Sequence, residues 1–139
     1  MPITYRILPD QRLVWAEARG TILAGELFEY QRTVWSRPEV QGFDELVDMT
    51  AVTEIPDPSH ASLRTLAVLS AGMDAPAGHS KFAIVAPDDL AFGLGRMYQT
   101  LRGLLPQGNK EVVVFRAVTA ALEWLGREDP GLSEPPVSP

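Results

Sequence analysis

Residues 81–105, KFAIVAPDDLAFGLGRMYQTLRGLL, constrain the fold more than any other part of the chain. An apolar run at 82–86 stops at Pro87, and Asp88 and Asp89 then open a second apolar pattern with helical spacing. A buried strand feeding directly into a helix N-terminus is half of an α/β unit. The helix carries Gly93 and Gly95 just ahead of Arg96, Met97 and Tyr98. Each glycine costs roughly 1 kcal/mol in a helix interior. Two together predict a close backbone approach by a neighbouring element or a ligand.

The rest of the chain supplies matching units. Residues 4–8 and 12–19 are β-like runs joined by Pro9, Asp10 and Gln11, a turn sequence that predicts a hairpin. From 23 to 35 the period changes. Leu27, Tyr30, Gln31 and Val34 form one stripe, with Glu26, Glu29 and Arg32 opposite, so an amphipathic helix is predicted. Residues 44–50, DELVDMT, read as a third strand, and the two prolines of 54–59 forbid helix or central strand there. Ser59 is the predicted N-cap of a helix from 60 to about 73. Residues 111–116, EVVVFR, are the most β-like run, and 119–126 give a last helix that stops at Gly126. The order β-β-α-β-α-β-α-β-α predicts an α/β domain over 1–126. It contains a mixed five-stranded sheet with an N-terminal antiparallel hairpin and about four helices. Residues 127–139 hold four of the twelve prolines and little apolar mass, so a disordered tail is expected.

Composition removes several function classes. A net charge of −6 argues against a nucleic-acid-binding surface. The absence of cysteine excludes disulfides, thiolate metal sites and thiol catalysis. No apolar run reaches the length of a transmembrane helix, and the first residues, MPITYRILPD, lack the pattern of a signal peptide, so a cytoplasmic location is expected. Lys81 and Lys110 are the only lysines beside ten arginines, which reads as a compositional bias of the source genome.

Four segments, in this order, resemble the SpoIIAA-like branch of the STAS domain family. Leu46-Val-Asp-Met-Thr50 followed by Val52 resembles its third strand, and residues 81–86 its fourth. GLGRMY at 93–98 resembles its helix motif, and 112–124 its closing strand and a helix ending in Glu-Trp-Leu. The likeness covers roughly residues 3–126. It implies a bacterial, non-enzymatic regulatory or interaction domain without a cofactor. Such a domain would act through a protein partner or homodimer and bind a small anionic or amphipathic ligand. A comparison of this branch with CRAL-TRIO domains implies an alternative, a carrier or sensor of an apolar, lipid-like ligand. The family's antagonists carry Asp-Ser-Ser-Gly at the second helix, where a serine is phosphorylated. Here the segment is Asp57-Pro58-Ser59-His60, which keeps Asp57 and Ser59, lacks the first serine and the glycine, and leaves Ser59 as the candidate phosphorylation site.

Candidate chemistry is sparse. Asp57, Ser59 and His60 are the residue types of a hydrolase triad, but near-adjacent residues cannot reproduce its geometry. His60 and His79 have no metal-ligand spacing, so no metal site is expected. Gly93-Leu94-Gly95 lacks the third glycine of a dinucleotide loop. Arg96 could fork onto a carboxylate or phosphate. The favoured partner is Asp48; the alternative is an anionic ligand in a cleft near the 48–59 loop. Arg96, Tyr98, Asp48 and Thr50 are the candidate ligand-binding residues. Trp15, Trp35, Trp124, Phe92 and Tyr98 are core or cleft aromatics. An apolar cavity beneath the helices would favour ligand binding, and a filled core with an exposed apolar patch would favour an interaction module.

Overall fold

Pro9 opens a single 3-10 turn, Pro9–Gln11, and Arg12 leaves it in the left-handed region at φ 50°. This turn joins β1 (Ile3–Leu8) to β2 (Leu13–Thr21) as the expected antiparallel hairpin, with Leu8 opposite Leu13. The computed structural model describes residues 2–56, 59–75, 78–106 and 108–128. Asp57 and Pro58 of the segment compared with the antagonist motif lie outside them, as do residues 129–139 of the expected tail.

After the hairpin, strands and helices alternate. α1 (Ala24–Trp35) leads to β3 (Asp44–Glu54), α2 (His60–Gly72) to β4 (Ser80–Val85), and α3 (Asp89–Gly103) to β5 (Lys110–Phe115). α4 (Val118–Leu125) closes the order and stops at Gly126, whose φ of 70° favours glycine. Ser59 caps α2 by accepting from Ser62 N, and Asp88 caps α3 by accepting from Leu90 N and Ala91 N. β3 runs beyond its expected end at residue 50. β2 accompanies it as far as the Thr21–Glu54 pair through two register shifts.

The sheet order is β1-β2-β3-β4-β5, antiparallel only between β1 and β2. Right-handed crossovers that step steadily in one direction put their helices on one face. Accordingly α1, α2 and α3 share the face that carries Ala16, Val47, Phe82, Ile84, Val112 and Val114. α4 folds back onto the other face, where Leu13, Trp15, Leu46, Ala83 and Val85 meet Ala121, Leu122 and Leu125. β4 lies between β3 and β5 and is buried on both faces, as its unbroken apolar run predicts.

The two glycines of α3 differ. A Cβ on Gly95 would meet both methyls of Val114 at 3.1 Å, so this glycine lets α3 sit tight on the sheet. A Cβ on Gly93 would meet nothing within 4 Å. The close approach predicted for both holds for Gly95 alone.

The expected boundary at 126 also moves. Arg127 Nε donates to Gln11 O at 3.0 Å and its guanidinium pairs with Asp44 at 2.9 Å, so Arg127 belongs to the folded unit. Its charge-assisted bonds fasten the end of α4 to the start of β3.

Two outcomes follow from this packing, both readable by urea denaturation. Gly93→Ala should stabilise by about 0.5–1 kcal/mol through helix propensity alone. Gly95→Ala should lose that gain against Val114, and Gly95→Val should destabilise by about 1–3 kcal/mol. Equal stabilisation by the two alanines would remove the close approach at Gly95. Arg127→Ala should cost about 1–2 kcal/mol, and no change in the unfolding midpoint would mean that its bonds to Asp44 and Gln11 contribute nothing.

Candidate functional site

Between the sheet and α1–α3 lies a cavity of about 120 Å³. A single water needs roughly 10–15 Å³, so this space is an order of magnitude larger. Its walls are mainly apolar, with Leu27 and Phe28 from α1, Leu63 and Leu66 from α2, Leu94 from α3, and Ile84 from the sheet. Helical spacing selects the α3 wall. Ala91, Leu94, Gly95 and Tyr98 all line the cavity and recur at three- and four-residue steps. Small side chains at Ala24 and Ala91 leave room that larger ones would fill.

The polar lining gathers around Glu45. Strand alternation points Glu45, Val47 and Met49 at the helices, and all three line the cavity. Glu45 is 2% exposed. Its Oε2 accepts from Tyr30 Oη at 2.7 Å and from Trp35 Nε1 at 3.1 Å. Its Oε1 accepts from Lys110 Nζ at 3.0 Å, and that ammonium lies 3.1 Å from the centre of the Trp35 ring. Burial lowers the Lys110 pKa, and the Glu45 charge opposes this without cancelling it. Burial and then the Glu45 charge raise the Tyr30 phenol well above its ordinary value. Gln31, 7% exposed, also lines the cavity, with its amide nitrogen 3.7 Å from Met73 Sδ.

Tyr98 stands beside this cluster, edge-on to Phe82 with ring centroids 6.1 Å apart. Its hydroxyl shares a hydrogen bond with Ser70, whose own hydroxyl is within reach of Ala67 O. A second buried network lies nearby, at the end of α2. Asp74 accepts both terminal nitrogens of Arg102 at 3.0 Å, as well as the backbone N–H groups of Asn109 and Lys110. That ion pair is 2% and 4% exposed, and it locks α3 to the start of β5.

The structure divides the residues singled out from the sequence. Tyr98 lines the cavity, and so does Ser59, whose Oγ is engaged with Ser62 N at 3.1 Å as a helix cap. Asp48, Thr50 and Arg96 are not brought together with them. Asp48 follows Val47 in β3 and therefore points to the α4 face, where it accepts from Thr50 N at 2.9 Å. Arg96 is exposed on α3, on the other side of the sheet from Asp48, and pairs with no carboxylate among the described residues. The expected Arg96–Asp48 salt bridge is thus ruled out by the sheet between them. Of the other aromatics, Trp15 and Trp124 pack on the α4 face and Phe92 lies under Arg116. Trp35 reaches the Glu45 cluster instead of the cavity wall.

Glu45, Lys110, Tyr30 and Gln31 were not selected from the sequence as site residues. Two signals pointed to them: Glu45 shares the strand face of Val47, and Lys110 is one of two lysines in an arginine-rich chain. Among the described residues no group of three or more His, Asp or Glu side chains is placed to hold a metal ion. No described helix is long and apolar enough to cross a membrane.

No family model matches the chain, and no curated protein does. Among solved structures it matches an uncharacterised DUF3478-family protein from Shewanella loihica PV-4 with a SpoIIAA-like fold. The TM-score is 0.53 at 16% identity, over 88% of this chain and 93% of that one. The chain has a SpoIIAA-like fold. The hairpin, the three parallel crossovers and the closing α4 are therefore the architecture that the sequence motifs implied, and in this SpoIIAA-like chain the cavity lies beneath the crossover helices.

The buried Tyr98 makes stability depend on alkaline pH. Burial raises its pKa from 10.0 to about 12, against the lowering effects of Arg102 and the Ser70 hydrogen bond. The folded state holds this proton more tightly than the unfolded chain does. The contribution is therefore complete below pH 10 and is lost as pH rises through about 12, for about 3 kcal/mol in all. Tyr98→Phe should lose less stability than the parent between these pH values in urea titrations. Parallel profiles for the two proteins would contradict a buried, protonated Tyr98.

Proposed function

We propose that this chain is a ligand-binding module of the SpoIIAA-like fold that holds a small, largely apolar molecule between the sheet and α1–α3. The observation that carries this reading is the apolar cavity. Protein interiors pack nearly as densely as organic crystals. A largely apolar pocket of about 120 Å³ left unfilled forgoes that packing, and a bound apolar molecule would recover it.

A carrier or sensor role fits the chemistry better than catalysis. Glu45, the one carboxylate on the cavity wall among the described residues, is held by three donors. Among the described residues no lysine or arginine lines the cavity. The expected regulatory role joins this reading if occupancy alters how α1 and α2 sit on the sheet, so that a partner reads the loaded state. Ser59 would then lie at the ligand's edge, and its phosphorylation would have to displace the α2 cap.

Native mass spectrometry of freshly purified protein should show a non-covalent adduct that disappears on acid denaturation. Leu63→Trp, which fills the cavity from α2, should abolish the adduct while keeping the melting temperature at or above that of the parent. An adduct retained by a folded Leu63→Trp protein would place the ligand elsewhere. No adduct, together with no thermal shift from any small apolar compound, would reject the proposal.

A further inference from the structure

At the polar end of the cavity, Glu45 and Gln31 keep hydrogen-bond acceptor capacity. Glu45 Oε2 already accepts twice, but Oε1 accepts only from Lys110 at 3.0 Å and has a second lone pair. Tyr30 spends its proton on Glu45. Ser70 and Tyr98 share one hydrogen bond in which either hydroxyl can donate, and Ser70 Oγ also lies 3.2 Å from Ala67 O. The Gln31 amide oxygen accepts from no group among the described residues, although the side chain is 7% exposed. Such groups sit at the polar end of a largely apolar pocket, where a ligand donor can fill a vacant acceptor.

The charges point the same way. Among the described residues, Glu45 is the only charged side chain on the cavity wall. Its counter-ion Lys110 is behind it, Arg102 is locked to Asp74, and Arg96 is exposed outside. A ligand carboxylate would meet no cation among the described residues of the wall and a like charge at the end.

We infer that the cavity selects an uncharged apolar molecule carrying a hydrogen-bond donor, a hydroxyl or N–H group directed at Glu45 Oε1 and Gln31, and that it rejects the corresponding carboxylate. This deepens the ligand-binding reading above and rests on it. The anionic ligand expected from Arg96 is replaced by a neutral donor.

The test uses three probes of one shape, toluene, para-cresol and para-toluate, titrated into the full chain and followed by NMR shifts of the cavity methyls. Para-cresol should bind about tenfold more tightly than toluene, the gain of one hydrogen bond to a charged acceptor, and para-toluate at least tenfold more weakly than para-cresol. Gln31→Leu should reduce the cresol preference with the fold intact. Glu45→Gln should reduce it as well and narrow the discrimination against para-toluate. If Glu45→Gln fails to fold because Lys110 is left unpaired, Glu45→Gln with Lys110→Met serves in its place, with loss of the cresol preference expected. Equal binding of toluene and para-cresol would overturn the inference while leaving the cavity a ligand site. Comparable binding of para-toluate, or a cresol preference that survives these variants, would also overturn it. Binding of none of the probes would overturn it too, whereas the ligand-binding reading falls only if native mass spectrometry also finds no adduct.

Discussion

The Glu45–Lys110 ion pair is the interaction on which the helical face of this molecule depends. Its side chains are 3% and 6% exposed, so both charges have left water. The penalty for such a pair is several kcal/mol per ion unless hydrogen bonds and close partners offset it. Here Tyr30 and Trp35 supply the bonds from α1, and the Trp35 ring also covers the ammonium. One carboxylate thereby ties α1, β3 and β5 together across the intervening β4. Replacing one partner would strand the other charge, so α1 cannot easily shift toward the sheet to close the cavity beside it. An all-apolar core could collapse there, because dispersion forces carry no fixed geometry. The ion pair holds one end of the cavity in place by directional bonds.

At the other side of the cavity the controlling device is size. Gly95 brings α3 against Val114 and Ile84, and Asp74 with Arg102 fixes the same helix near its C-terminus. α3 is therefore pinned at both places and packs closely on α2. The room lies toward α1, where Ala24 and Leu27 face Leu63 and Leu66 of α2. Ligand entry between α1 and α2 would leave the Asp74 network undisturbed. α2 and α3 are tied through Asp74 and Arg102, and α1 is anchored separately through Glu45.

The fold was legible because local signals agreed with one another. Pro9 and Asp10 marked the hairpin, Ser59 and Asp88 marked helix starts, Gly126 marked a stop, and the unbroken apolar run of β4 marked a central strand. Such agreement across levels is what makes a sequence specify one structure. The site was less legible because a strand segment must be split by face before its charges mean anything. Residues 44–50 read as one apolar run hide that Glu45 points to the helices and Asp48 to α4. Taking Asp48 as the partner of Arg96 paired two residues that a sheet separates. Tyr98 was singled out as an aromatic of the GLGRMY segment, and helical spacing puts it with Gly95 on the packed face of α3.

The two lysines carry the remaining signal. In a chain with ten arginines, Lys81 and Lys110 stand near the starts of two parallel neighbouring strands. Lys81 Nζ donates to Trp124 O at 3.0 Å and lies 5.1 Å from that indole's centre, while Lys110 lies over Trp35. A guanidinium is planar and broad, and it is best satisfied by a forked partner such as the one Asp74 gives Arg102. Beneath an indole with a single acceptor there is room for a compact ammonium and little use for a fork. At Lys110 the compact ammonium lies over the Trp35 ring and is the counter-ion of Glu45, the one charged group on the cavity wall among the described residues.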